Sequence, residues 1–126
     1  MRLSEAIRLG SMEGQQGFFS GACTTDADAR CAIGAAAWAV GALQDRPNET
    51  FYALIQVFPI LGIDTEYPIE LHARHSNQSL DEFHKPIAWL LDHIWRLNDI
   101  GQVPREAIAD WVATIESRRL NRLFPK

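Results

Sequence analysis

Cys31 is the residue whose type and place most invite chemistry. It follows a stretch punctuated by Gly10, Gly14, Gly17 and Gly21 and opens an alanine-rich segment with helical periodicity. A thiol at a helix N-terminus loses its proton more readily, because the helix dipole and the unpaired backbone N–H groups favour the thiolate. A cysteine nucleophile also needs a base and a group that orients the base. His72, His75, His84 and His93 supply candidate bases, and Asn98 and Asp99 supply candidate orienting groups. No spacing selects one triad. Cys31 with Asn98 and Asp99 is therefore a candidate catalytic set. It competes with a plainer reading, in which a small buried thiol packs on the alanine-rich helix.

Metal chemistry would fall to His72 and His75. If helical, they stand one turn apart, with Glu70 nearby as a carboxylate. Neither an HExxH nor a CxxC motif accompanies them, and no cofactor is expected. Residues 26–30 open like a calcium loop, but Arg30 is cationic, and Cys31 and Ala37 stand where a glycine and a bidentate glutamate belong. The glycine-rich stretch lacks the Lys-Ser/Thr ending of a phosphate-binding loop and follows no plausible strand.

The elements that would position these residues read as helices. Leu3 to Leu9 forms a short one, with Ser4 as its cap and Gly10 as its end. Residues 10–30 form a Gly-rich N-terminal loop with room for one short hairpin around Phe18 and Phe19. Asp28 could cap a second helix running to Leu43, whose small side chains suit a central place. Asn48 could cap a third, carrying Phe51, Leu54, Ile55 and Phe58 on one face up to Pro59. Residues 59–78 read as short strands or apolar anchors between Pro59, Gly62 and Pro68. Ser79 to Glu82 matches a capping box. From Ile87, the residues Leu90, Leu91, Ile94 and Leu97 share a face. Asn98 to Gly101 break that helix, and Pro104 fits the first turn of a last one running to Leu120, with Ile108, Trp111, Val112 and Ile115 inward. The expected fold is all-α or nearly so, a single domain over residues 1–126 with about five helices.

The 126 residues, 47% of them hydrophobic, suffice for one core. A net charge of −4 disfavours a general nucleic-acid partner. Glu5 interrupts any apolar signal segment near the start. The run from Cys31 to Leu43 is too short to span a bilayer, so no membrane role is expected. The expected location is cytoplasmic, with Cys23 and Cys31 as free thiols.

Surface character points to binding. Trp89 and Trp95 lie off the main Leu/Ile stripe, so one of them could stand at a contact surface. Arg118, Arg119 and Arg122 form a basic end, which also suits the C-terminal dipole of a helix. The two last helices outline a helix-turn-helix. In that reading Arg105 would reach toward DNA, while Glu106 and Asp110 would oppose phosphates.

Three segments carry a resemblance: residues 31–36 (CAIGAA), residues 97–99 (LND) and residues 105–112 (REAIADWV), with residues 3–7 (LSEAI) in front. Together they resemble small uncharacterised bacterial and phage-associated proteins with C-A-L-G-A-A, L-N-D and T-R-E-x-I-A-D-W-V in the same order. The resemblance skips most of residues 44–86. Some of those proteins carry a Cys-Pro-x-Cys-like element in the middle, where Tyr67-Pro68-Ile69-Glu70 stands here, so a metal role would not carry over. Pro104 replaces their threonine. The resemblance implies no activity. It implies that Cys31, Asn98 and Asp99 belong to the architecture, with Asn98 at a left-handed helix end and Asp99 accepting backbone donors in the following turn. The expected function is that of a small intracellular accessory protein that binds a protein partner or itself. The alternatives are a cysteine-dependent enzyme using Cys31 and a DNA-binding regulator.

Overall fold

A computed structural model describes residues 1–12, 14–17, 29–75 and 89–123. The described residues are mostly helical, as expected, with six α-helices rather than five. Helix α1 spans Leu3–Gly10, α2 Ala32–Ala39, α3 Pro47–Val57, α4 Ile69–His75, α5 Leu90–Asp99 and α6 Arg105–Leu123. A 3₁₀ turn covers Pro59–Gly62. Among the described residues, no helix is long and apolar enough to cross a membrane.

The core lies where α1, α2, α5 and α6 meet. Leu3, Ala6 and Ile7 of α1, Ile33 and Ala36 of α2, Leu90, Ile94 and Leu97 of α5, and Ile108 and Val112 of α6 are all buried. Residues three or four apart project from one side of a helix, so each of these sets forms one inward stripe. The fit between α1 and α2 is set by backbone. A methyl group on Gly10 would sit 1.8 Å from the Ala35 carbonyl oxygen. Glycine at the end of α1 and alanines along α2 let the two helices touch almost main chain to main chain.

Several local expectations are corrected. Ser4 lies inside α1 and is buried, and Arg2 takes the N-cap position. Helix α2 starts after Cys31, which is itself the N-cap, rather than at Asp28. It stops at Ala39 instead of Leu43, just before Gly41 turns the chain with φ of 70°. Pro47 enters the first turn of α3, so the cap is Arg46 and not Asn48. A missing N–H costs nothing in a first turn, which explains the shift. Residues 59–75 hold the 3₁₀ turn and α4 instead of strands. Helix α5 starts at Leu90, with Trp89 before it. Pro104 precedes α6 by one residue, and α6 continues to Leu123. Asn98 and Asp99 complete α5, and the left-handed residue in the following turn is Gln102, with φ of 50°.

The hairpin expected around Phe18 and Phe19, the capping box at Ser79, His84 and Cys23 lie outside the described residues. The one described strand pairing is parallel: Gln15–Gln16 beside Ala29–Arg30. It closes the glycine-rich stretch onto the entrance of α2.

Candidate functional site

The structure gathers Cys31, Asn98 and Asp99 at the N-terminal end of α2. Asn98 is 2% exposed and forms a hub. Its Oδ1 accepts from the Ala32 backbone N–H and from Gln16 Nε2, each at 2.9 Å. Its Nδ2 donates to the Gly17 carbonyl at 2.8 Å and to Asp99 Oδ1 at 2.9 Å. Gln16 Nε2 also donates to the Val103 carbonyl, and Gln16 Oε1 accepts from the Arg105 backbone N–H. Asp99 receives the Trp95 indole N–H on its other oxygen. It thus accepts from two side chains, Trp95 and Asn98. The set ties the glycine-rich stretch, α2, α5 and the start of α6 into one junction.

Cys31 is fully buried, and its Sγ accepts the Gly34 N–H at 3.1 Å. The sulfur therefore works as a helix cap, satisfying one of the first-turn donors. This burial gives a substrate no surface on the thiol. The structure supplies packing and capping as the physical account of Cys31.

Two arginines beside Cys31 were not legible as buried. Arg105 is 8% exposed; its guanidinium donates to the carbonyls of Arg30, Ser11 and Gly14. Burial, and then the neighbouring charge of Arg30, hold it below the usual guanidinium range, while Cys31 acts in the opposite sense. Turned inward, Arg105 offers nothing to a DNA groove, which removes the residue on which the helix-turn-helix reading rested. Arg30 is 3% exposed and lies over the Trp38 ring at 4.4 Å. Its Nε and Nη1 find no hydrogen-bond partner, so the aromatic face stands in for one.

The histidine pair divides. His72 is fully buried and packs against the α5–α6 turn, where a methyl group on Gly101 would meet its Nδ1 at 2.6 Å. Desolvation holds its pKa below the ordinary imidazole value, so the ring is neutral. His75 is half-buried and lines a surface cleft. Among the described residues, no group of three or more His, Cys, Asp or Glu is placed to hold a metal.

Among the described residues, two surface depressions stand out as candidate sites. A cleft of about 720 Å³ runs between residues 65–75 and α6; Tyr67 and Trp111 line it with charges of both signs, among them Glu70, Arg74 and Arg118. A second, strongly apolar groove of about 650 Å³ lies between the start of α1, the end of α3 and α6. Leu3, Val57, Phe58, Pro59, Ile60 and Ile63 line it, and Arg2, Arg119 and Glu116 stand with them. Glu116 is 2% exposed; its carboxylate faces the Ser4 N–H at 3.4 and 3.5 Å, where the N-terminal dipole of α1 favours negative charge. Arg119 donates to the Asp64 carbonyl at 3.0 Å, which fixes it at the groove edge.

The expected binding residues thus scatter. Arg118 belongs to the cleft and Arg119 to the groove, and the side chain of Arg122 lies outside the described residues. Trp89 is 51% exposed, whereas Trp95 is half-buried and bonded to Asp99. The groove itself was missed from sequence, because its surface comes from three segments distant along the chain.

Comparison with protein-family models, with curated proteins and with solved structures finds no match to this chain.

Proposed function

We propose that this protein acts as a small accessory protein that binds a partner protein through the apolar groove between α1, α3 and α6. The observation that carries the reading is the composition of that groove. Its accessible apolar surface comes from half-buried Ile60 and Ile63, with Val57 49% exposed and Met1 68% exposed, over a floor of buried Leu3 and Phe58. Apolar side chains gathered in a concave surface gain most when a partner's side chains replace the water over them. Arg2 and Arg119 beside the groove select the partner's chemistry: an apolar segment flanked by acidic residues. Charge of that arrangement guides encounter and orientation, and the apolar contact holds the complex.

A photo-crosslinking side chain at Val57, compared with one at Tyr52, tests the reading in the cells of origin. Tyr52 is on the same helix, 70% exposed and outside the groove. A discrete protein adduct from position 57 and none from position 52 is expected. Val57→Asp, placed beside the segment's acidic flank, should then lower the purified partner's affinity at least tenfold with the helical circular dichroism unchanged. Equal labelling from both positions, or unaltered affinity in the variant, would overturn the assignment.

A further inference from the structure

His93 is fully buried, and each of its ring nitrogens faces a backbone carbonyl. Nδ1 is 2.8 Å from the Trp89 oxygen and Nε2 is 2.7 Å from the Thr65 oxygen. A carbonyl oxygen only accepts, and a neutral imidazole has one N–H to give. In either neutral tautomer, one nitrogen lone pair would point at an oxygen at hydrogen-bond distance. Only the imidazolium, with two N–H groups, satisfies both contacts.

We infer that His93 is a proton-dependent clasp that, as an imidazolium, ties α5 to the Thr65–Tyr67 wall of the cleft. The surrounding rings fit a cation. Trp111 of α6 stacks on the imidazole with centroids 6.1 Å apart and planes 17° apart, and the Tyr67 ring stands at 5.7 Å. Aromatic faces attract a cation and take the place of some of the lost water.

The ionisable groups around His93 come from three elements. Tyr67, from the segment before α4, is pushed up to about 12 by burial and stays neutral. His72 of α4 stands beyond Tyr67, their rings 6.1 Å apart, and desolvation keeps it neutral too. Arg96, on the same helix as His93, acts on Tyr67 and opposes a second cation nearby. Asp110 of α6 lines the cleft too, but its carboxylate is exposed and paired with Arg8 at 2.6 Å. Thr65, Tyr67 and Trp111 all line the cleft, so the clasp lies directly beneath it. A further bond, from the Leu90 N–H to the Ile63 carbonyl at 3.0 Å, joins the same two segments. When the proton leaves, one of the two imidazole contacts turns repulsive and this wall loosens. The cleft is therefore held firm on the acid side and slackens as the pH rises. This inference concerns a different face from the apolar groove and stands without it.

Nitrogen-15 spectra of the histidine rings in the full chain test the idea without any substitution. Both His93 ring nitrogens should carry protons while both carbonyl contacts are made. Amide exchange at Leu90, corrected for its intrinsic pH dependence, should rise about tenfold or more once the pH is raised enough to remove one of those protons, the loss expected for a charge-assisted bond. His93→Gln, which cannot bridge both carbonyls, should remove the pH dependence of that exchange. A single protonated nitrogen at every pH where the chain is folded, or the same exchange profile in His93→Gln, would overturn the clasp. If the variant does not fold, the ring spectrum of the unaltered protein decides alone.

Discussion

Replacing Asn98 should unfasten the junction at the head of α2. In Asn98→Ala, the Ala32 N–H and the Gly17 carbonyl each lose the partner that Asn98 provides, in a site that is 2% exposed. A buried polar group left unpaired costs about 1–3 kcal/mol. Gln16 Nε2 keeps its second acceptor, the Val103 carbonyl, so its loss is small. Two orphaned groups, with some relaxation, amount to about 3 kcal/mol, a large part of the ~5–15 kcal/mol that stabilises a domain. For a chain of this size, that is a fall of roughly 10–15 °C in Tm. Asn98→Asp separates the two halves of the hub. It keeps the shape and an acceptor for Ala32, but turns a carboxylate oxygen toward the Gly17 carbonyl and toward Asp99. It should therefore be at least as damaging at neutral pH. The new carboxyl is favoured protonated in the fold, so its defect should shrink as the pH falls and grow as the pH rises through the carboxylate range. Urea and thermal unfolding followed by far-ultraviolet circular dichroism measure both variants. A loss below about 1 kcal/mol in Asn98→Ala, with the Ala32 amide still protected from exchange, would refute the reasoning.

Gly10→Ala places a methyl group 1.8 Å from the Ala35 carbonyl oxygen, so α1 and α2 must part. Backbone cannot yield as a side chain does, and a loss of about 3 kcal/mol or more is expected in the same unfolding assay. Cys31, being fully buried, should resist alkylation in the native protein and react at the rate of a free thiol in denaturant; fast native labelling confirmed at residue 31 by mass spectrometry would contradict the capping role. Cys31→Ser keeps a cap acceptor for Gly34 and should cost less than Cys31→Val, which keeps bulk but loses it. Tyr67 should show its phenolate absorbance step near the value of about 12 to which burial raises it, and Tyr67→Phe should delete that step. With the folded pKa above the unfolded one, the neutral phenol stabilises the fold below about pH 10, and this contribution is lost as the pH climbs through the folded value.

Much of the architecture was legible because it rests on local rules. The stripes Leu90, Leu91, Ile94, Leu97 and Ile108, Val112, Ile115 were visible as periodicity, and they are buried. The alanine-rich segment read as a close-packed helix and is one, fully buried from Ala32 through Ala37. Helix starts were less legible. Cys31 and Arg46 occupy cap positions that propensity assigns to Asp28 and Asn48, because tertiary partners and Pro47 decided where each first turn began. Residues 59–75 misled because Pro59, Gly62 and Pro68 signal breaks, and a break leaves room for a one-turn helix as readily as for a strand.

The sequence by itself determined which faces of the helices are greasy and where the chain must turn. Those properties follow from side-chain chemistry and from periods of three to four residues. Only the tertiary structure decided what the polar residues do. Arg105 reads as a surface cation until Arg30, Ser11 and Gly14 turn their carbonyls toward it. His93 reads as one more position on α5 until the Thr65 oxygen arrives from another segment. Hydrogen bonds of that kind join atoms dozens of residues apart, so their partners exist only once the helices have packed.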